Sequence, residues 1–152
     1  MKFSLALFLA LCAVIFLLTG CDSEPNSNAL PSGPLGVRVD TANGVYTNIS
    51  PLELSVLLAD KNFSLINVHI PYESEIANTD AFIPYNEMDK NLHKLPKGKT
   101  AQIVLYCRSG RMSQDAAETL VRLGYTNVWN LDRGMIGWEQ AGFQLMTKKQ
   151  QE

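Results

Sequence analysis

The stretch Leu105-Tyr106-Cys107-Arg108-Ser109-Gly110-Arg111-Met112-Ser113-Gln114 decides how the rest of the chain is read. It closes the most hydrophobic strand-like run outside the N-terminus, Ala101–Cys107, whose near-continuous apolar character from Ile103 onward suits a strand covered on both faces. After the loop, Gln114–Leu123 has helical spacing, with Ala116, Ala117, Leu120 and Val121 on one side and Gly124 placed to stop it. A buried strand, a tight glycine-containing turn and an amphipathic helix make one βα unit of a parallel sheet. Such sheets bind ligands beyond the carboxyl ends of their strands. Cys107 stands at such an end.

The same alternation extends in both directions. Val45–Ile49 reads as a strand. Ser50-Pro51-Leu52-Glu53 then carries a capping residue, a proline suited to the first helical position and a glutamate able to bond back to the cap. Leu54, Leu57 and Leu58 form the stripe of that helix. Phe63–His69 reads as a strand, Pro71–Ile76 as a short helix or turn, Ala81–Tyr85 as a strand and Asn86–Leu95 as a polar helix. Asn127–Leu131 is a fifth strand and Met135–Gly142 a last helix. The expectation is one α/β domain over residues 44–147, three layers deep, with a mostly parallel five-stranded central sheet and a short tail at residues 148–152.

The N-terminus belongs to something else. Met1 and Lys2 precede an apolar run, Phe3–Leu18, too short for a permanent span and shaped like a secretory signal. It ends in Leu18-Thr19-Gly20-Cys21, which resembles the lipobox of bacterial lipoproteins. That resemblance implies cleavage after Gly20, lipid on Cys21 and attachment to a membrane outside the cytoplasm. Asp22–Asn43, rich in Ser, Asn, Gly and Pro, reads as a flexible tether.

Three cysteines are present. With Cys12 in the signal and Cys21 lipidated, Cys107 is left as the domain's one thiol, so a disulfide framework and a four-cysteine zinc site are excluded. No cofactor and no metal are expected. A net charge of -2 with no long basic run speaks against nucleic-acid binding.

A cysteine acts as a nucleophile through its thiolate. Three features of this loop favour that form: the N-terminus of the following helix, backbone N–H groups turned inward as an anion nest, and the guanidinium groups of Arg108 and Arg111. Ser109 and Ser113 add hydroxyl donors, Ser113 being positioned to cap the helix, and Gly110 supplies a conformation that other residues resist. The same charges would draw in an anionic substrate.

Tyr106-Cys107-Arg108-Ser109-Gly110-Arg111-Met112-Ser113 resembles the active-site loop of single-domain rhodaneses. Val128–Leu131 followed by Asp132-Arg133-Gly134-Met135-Ile136-Gly137-Trp138 and Ala141-Gly142-Phe143 resembles the closing segment of that family. Leu65–His69 with Pro71, Tyr72 and Glu73 resembles its second-strand motif. The resemblance implies a sulfurtransferase of the thiosulfate type. Cys107 would take the outer sulfur of a small anionic donor such as thiosulfate, the residues Arg108, Ser109, Gly110, Arg111, Met112 and Ser113 would cradle it, and a thiol or cyanide would accept it. Asn67, His69 and Asn78–Ile83 depart from the usual pattern near the mouth of the site, where donor choice is made.

Other chemistries fit less well. Cysteine phosphatases and arsenate reductases of the same fold place an arginine six residues after the cysteine to clamp phosphate. Here that position is Ser113, and the nearest arginine, Arg111, is at plus four. A cysteine–histidine hydrolase would need His69, which could line the pocket, or His93, which reads as solvated. Glu73 and Glu75 read as surface charges. A persulfide carrier without turnover, or a redox-sensing module, is the alternative of a different class.

Overall fold

The computed structural model describes residues 33–147. The signal segment, Cys21, the first part of the tether and the tail at residues 148–152 lie outside the described residues. Among those described, no helix is long and apolar enough to cross a membrane.

Six strands, not five, form one sheet in the order β1-β2-β6-β5-β3-β4. Their ranges are β1 Val37–Thr41, β2 Gly44–Ile49, β3 Ser64–Asn67, β4 Ala81–Phe82, β5 Ile103–Tyr106 and β6 Val128–Leu131. All neighbours pair in parallel except β1 and β2. The helices are α1 Pro51–Ala59, α2 Arg111–Arg122 and α3 Gly134–Gln140.

The central strand shows why the sheet is covered on both sides. All four residues of β5 are buried. Ile103, Leu105 and Cys107 face one core with Ala116, Ala117, Leu120 and Val121 of α2. Val104 and Tyr106 face the other with Leu54 of α1 and Met135 and Trp138 of α3. Alternation along the strand thus divides one apolar run between two cores.

The extra strand occupies the end of the expected tether. Val37–Thr41 pairs antiparallel with β2, with Thr41 opposite Gly44 and a two-residue turn, Ala42-Asn43, between them. The Thr41 hydroxyl donates to the Gly44 carbonyl at 2.9 Å and accepts from the Asn43 N–H at 3.3 Å. In the sequence the Asn-Gly pair is a hairpin signal, and the alternation of Val37 and Val39 with Arg38 and Asp40 is a strand signal. Both are masked there by the polar composition around them.

Glu53 fastens this hairpin to α1. The capping box is present: the Ser50 N–H donates to Glu53 Oε2 at 2.7 Å, and the Glu53 N–H donates to the Ser50 hydroxyl at 3.2 Å. Glu53 Oε1 also accepts from the Gly36 N–H at 2.7 Å. Burial pushes the carboxyl up, but the Ser50 and Gly36 N–H groups and the Ser50 hydroxyl outweigh it and hold its pKa below the ordinary value.

Two segments differ from expectation: Pro71–Ile76, read as a short helix or turn, and Asn86–Leu95, read as a polar helix. Pro71–Ile76 forms no helix. Glu75 bridges Met146 through two backbone bonds, and the Ile76 N–H is taken by the Tyr106 hydroxyl at 3.1 Å. Glu75 is consequently buried and not a surface charge. Asn86–Leu95 contains two 3-10 segments, Tyr85–Glu87 and Asp89–Lys94, with Asn91 outside helical geometry. Pro84 and Pro96 bound a segment too short to propagate an α-helix, and Met88 and Leu95 anchor it to the core.

Candidate active site

The loop Cys107–Gly110 leaves the end of β5 and enters α2 one turn earlier than expected. Arg111 begins the helix, and Gly110 takes the N-cap position at φ 95°. This left-handed backbone suits glycine, and a Cβ on Gly110 would meet the Arg133 nitrogen at 3.1 Å. The Gly110 N–H is thereby turned back onto Cys107 Sγ at 3.1 Å. Ser113 is not the cap. It lies in the first turn, fully buried, with its hydroxyl 2.9 Å from the Gly110 carbonyl and 3.5 Å from Cys107 Sγ. Having one proton, it donates to one of the two at a time.

Residues from the far end of the chain hold the other side of the loop. The Met135 N–H donates to the Cys107 carbonyl and the Ile136 N–H to the Arg108 carbonyl, each at 2.9 Å. These are orphan donors at the N-terminus of α3. With these loop carbonyls held by α3, the Gly110 N–H is directed at the sulfur. Gly134 makes the approach possible, since a Cβ there would stand 2.1 Å from the Cys107 carbonyl oxygen.

Cys107 is only 1% exposed, yet it borders a cavity of about 250 Å³. The lining consists of His69, Tyr85, Cys107, Arg108, Ser109, Arg111, Met112 and Asp115. Every loop residue named from the sequence is therefore at the cavity, apart from Gly110 and Ser113, which sit behind the sulfur and bond it. Arg108, Ser109 and Arg111 are exposed at the rim.

His69 reaches the cavity as expected of a strand-end residue. Asn67 bends the chain there: its Oδ1 accepts from the His69 N–H, and its Nδ2 donates to the Ser74 carbonyl, both at 3.0 Å. The imidazole is buried, and neither ring nitrogen has a hydrogen bond. Glu73 Oε1 lies 3.5 Å from His69 Nε2, within ion-pair range if the ring is protonated. The other oxygen of Glu73 lies 3.2 Å from Arg108 Nε. Glu73 thus reaches two residues of the cavity, which reading it as an isolated surface charge did not foresee. Tyr85 and Asp115 also went unassigned. The one local signal for Asp115 is its position a helical turn beyond Arg111. His93 is exposed, as expected of a solvated residue.

The chain matches the Rhodanese-like domain family over residues 56–141. It is 34% identical over 107 residues to a sulfurtransferase of Allochromatium vinosum, a match covering 67% of this chain and 96% of that protein. It is 32% identical over 97 residues to a probable adenylyltransferase/sulfurtransferase of Mycobacterium tuberculosis, covering 60% of this chain but only 24% of that protein. Among solved structures, a rhodanese-related protein from Thermoplasma volcanium superposes with a TM-score of 0.56 at 24% identity, covering 65% of this chain and 96% of the other. With a cysteine loop at the end of the central parallel strand and a matching family over more than half its length, this chain belongs to the rhodanese-like domain family.

Proposed function

We propose that the protein is a sulfurtransferase that carries sulfane sulfur as a persulfide on Cys107. The observation that supports this most directly is the environment of Sγ. It sits at the floor of an open cavity, with the Gly110 N–H at 3.1 Å and the Ser113 hydroxyl at 3.5 Å directed at it. Donors directed at a sulfur suit a thiolate, which can only accept.

In the first step the Cys107 thiolate attacks the outer sulfur of the donor. With thiosulfate, a new S–S bond forms to Sγ, the old S–S bond breaks, and its electron pair leaves on sulfite. The negative charge passes to the outer sulfur of the persulfide. In the second step a thiolate or cyanide attacks that sulfur, takes it as a persulfide or thiocyanate, and returns Cys107 to the thiolate. This is covalent catalysis in two transfers. Arg111, in the first turn of α2, is the guanidinium best suited to hold the donor anion.

Cys107→Ser tests the assignment. After incubation with thiosulfate, the parent protein should gain ~32 Da at Cys107, as covalent capture of one sulfur requires, and the variant should not. Transfer retained by a folded serine variant would rule out this cysteine as the carrier.

We propose further that the protein works outside the cytoplasm of a bacterium, anchored by lipid on Cys21, from the signal-like Phe3–Leu18 run and the Leu18–Cys21 motif. Cys21→Ser should move the protein from the membrane fraction to the soluble one. An unchanged distribution would remove the anchor.

A further inference from the structure

The two edges of the sheet are unlike. β4 is 2 residues long, and so short an edge offers little for another strand to pair with. β1 is 5 residues long and bonds only to β2 among the described strands. Thr41 and Gly44 are partners across a two-residue turn, which makes them a hydrogen-bonded pair. Alternation along the ladder then gives Val39 and Val37 the remaining bonds to β2, and turns the N–H and C=O groups of Arg38 and Asp40 away from the sheet. Glu53 takes the Gly36 N–H just before this edge, and the Ala42-Asn43 turn ends it. The open backbone of β1 is therefore that of Arg38 and Asp40. Their side chains share one face and are 72% and 84% exposed. Val37 beside them is 69% exposed, the most of any large apolar residue among those described. Many edges are guarded by charge that repels a second strand. Here a guanidinium and a carboxylate, 3.7 Å apart along the strand, cancel each other.

We propose that β1 pairs antiparallel with β1 of a second copy of this chain, about a two-fold axis through Val39, so that two sheets become one. The proposal is independent of the chemistry at Cys107. The open groups restrict the register, because each Arg38 and Asp40 has to face an outward-turned residue of the second copy. Centring the pair on Arg38 sets guanidinium against guanidinium, and centring it on Asp40 sets carboxylate against carboxylate. Centring it on Val39 sets Arg38 of each copy opposite Asp40 of the other, and symmetry repeats the favourable contact. In that register Arg38 and the facing Asp40 exchange both backbone N–H···O bonds. Val37 comes to lie opposite Thr41 of the second copy, which withdraws its exposed surface from water. The charges that look like a guard on a single strand are thus self-complementary between two.

Native mass spectrometry of the full chain in detergent, over a range of concentrations, reads the dimer directly. The parent protein should dimerise as its concentration rises. Arg38→Asp and Asp40→Arg each set like charges against one another on both sides of the axis, and each should weaken association by about tenfold or more. An equimolar mixture of the two variants sets the carboxylates of one against the guanidinium groups of the other, so a mixed dimer should form with the strength of the parent. Both side chains are exposed, and exposed charge pairs add little to folding, so both variants should fold, which circular dichroism checks. A parent protein that stays monomeric at every concentration overturns the proposal. So does a dimer that both variants retain, since the contact then lies elsewhere, residues 1–32 included. Folded variants that form no mixed dimer overturn it as well, because the pairing of Arg38 with Asp40 is then absent.

Discussion

Gly134 shows how much of the site depends on an atom that is missing. Its backbone is left-handed at φ 53°, and its Cα lies against the Cys107 carbonyl. Gly134→Ala would place a methyl 2.1 Å from that oxygen, so the loop or the start of α3 has to move. The left-handed conformation alone costs about 1–2 kcal/mol for a residue with a Cβ, and the displaced carbonyl adds to that. We expect a lower urea midpoint and slower sulfur loading together. A variant that loads normally would show that the carbonyl anchor is dispensable. Residue types at this scale were largely legible. The thiol, the glycine of the loop and the two arginines are all in one decapeptide, because a strand-end nucleophile and its cradle are local in sequence. The capping role expected of Ser113 was wrong because Gly110, with a left-handed backbone, starts the helix three residues earlier.

At the scale of the element, the Ser50 cap and strand alternation were reliable, whereas the cap of α2 and element length were not. The Ser50–Glu53 box forms as its spacing requires. Glu53 does more than cap, because it also holds the Gly36 N–H and so ties the β1–β2 hairpin to α1. Its pKa lies below the ordinary 4.5. A depressed carboxyl contributes stability that is fully present above the unfolded value and is lost as pH falls through the lower folded value. Glu53→Gln should therefore lower unfolding stability near neutral pH by about 1 kcal/mol, the scale of a lost cap. The difference from the parent should shrink in acid below pH ~4, where the unfolded carboxyl is already protonated. Denaturant melts across pH would measure this, and a pH-independent difference would mean that the carboxylate's charge is irrelevant. The segment after Pro84 was misjudged because polar composition resembles a helix surface, whereas two prolines and an exposed face leave room only for 3-10 turns.

Over the whole molecule, stability and site share one core. Leu105 is fully buried in β5 on the α2 face, in the same cluster as Cys107. Leu105→Ala removes packing in the middle of the sheet and should cost ~2–5 kcal/mol, a large part of the ~5–15 kcal/mol that holds a typical domain. A marked fall in the urea midpoint is expected. A shift equivalent to well under 1 kcal/mol would mean that the sheet relaxes around the gap.

The sequence by itself determined the alternation of strands and helices, the central place of Ala101–Cys107 and the position of a lone thiol at a strand's carboxyl end. Periodicity, caps and turn residues act over a few neighbours, so they can be read in order along the chain. Only the tertiary structure decided that Val37–Thr41 joins the sheet, that the N–H groups of Met135 and Ile136 hold the loop carbonyls, and that Glu73 occupies Arg108. The loop anchor and the Glu73–Arg108 pair join segments far apart in sequence, and the local β1–β2 hairpin enters the sheet only because β2 pairs with the distant β6. Such geometry exists only after the two cores have packed and brought the partners within hydrogen-bond or ion-pair reach.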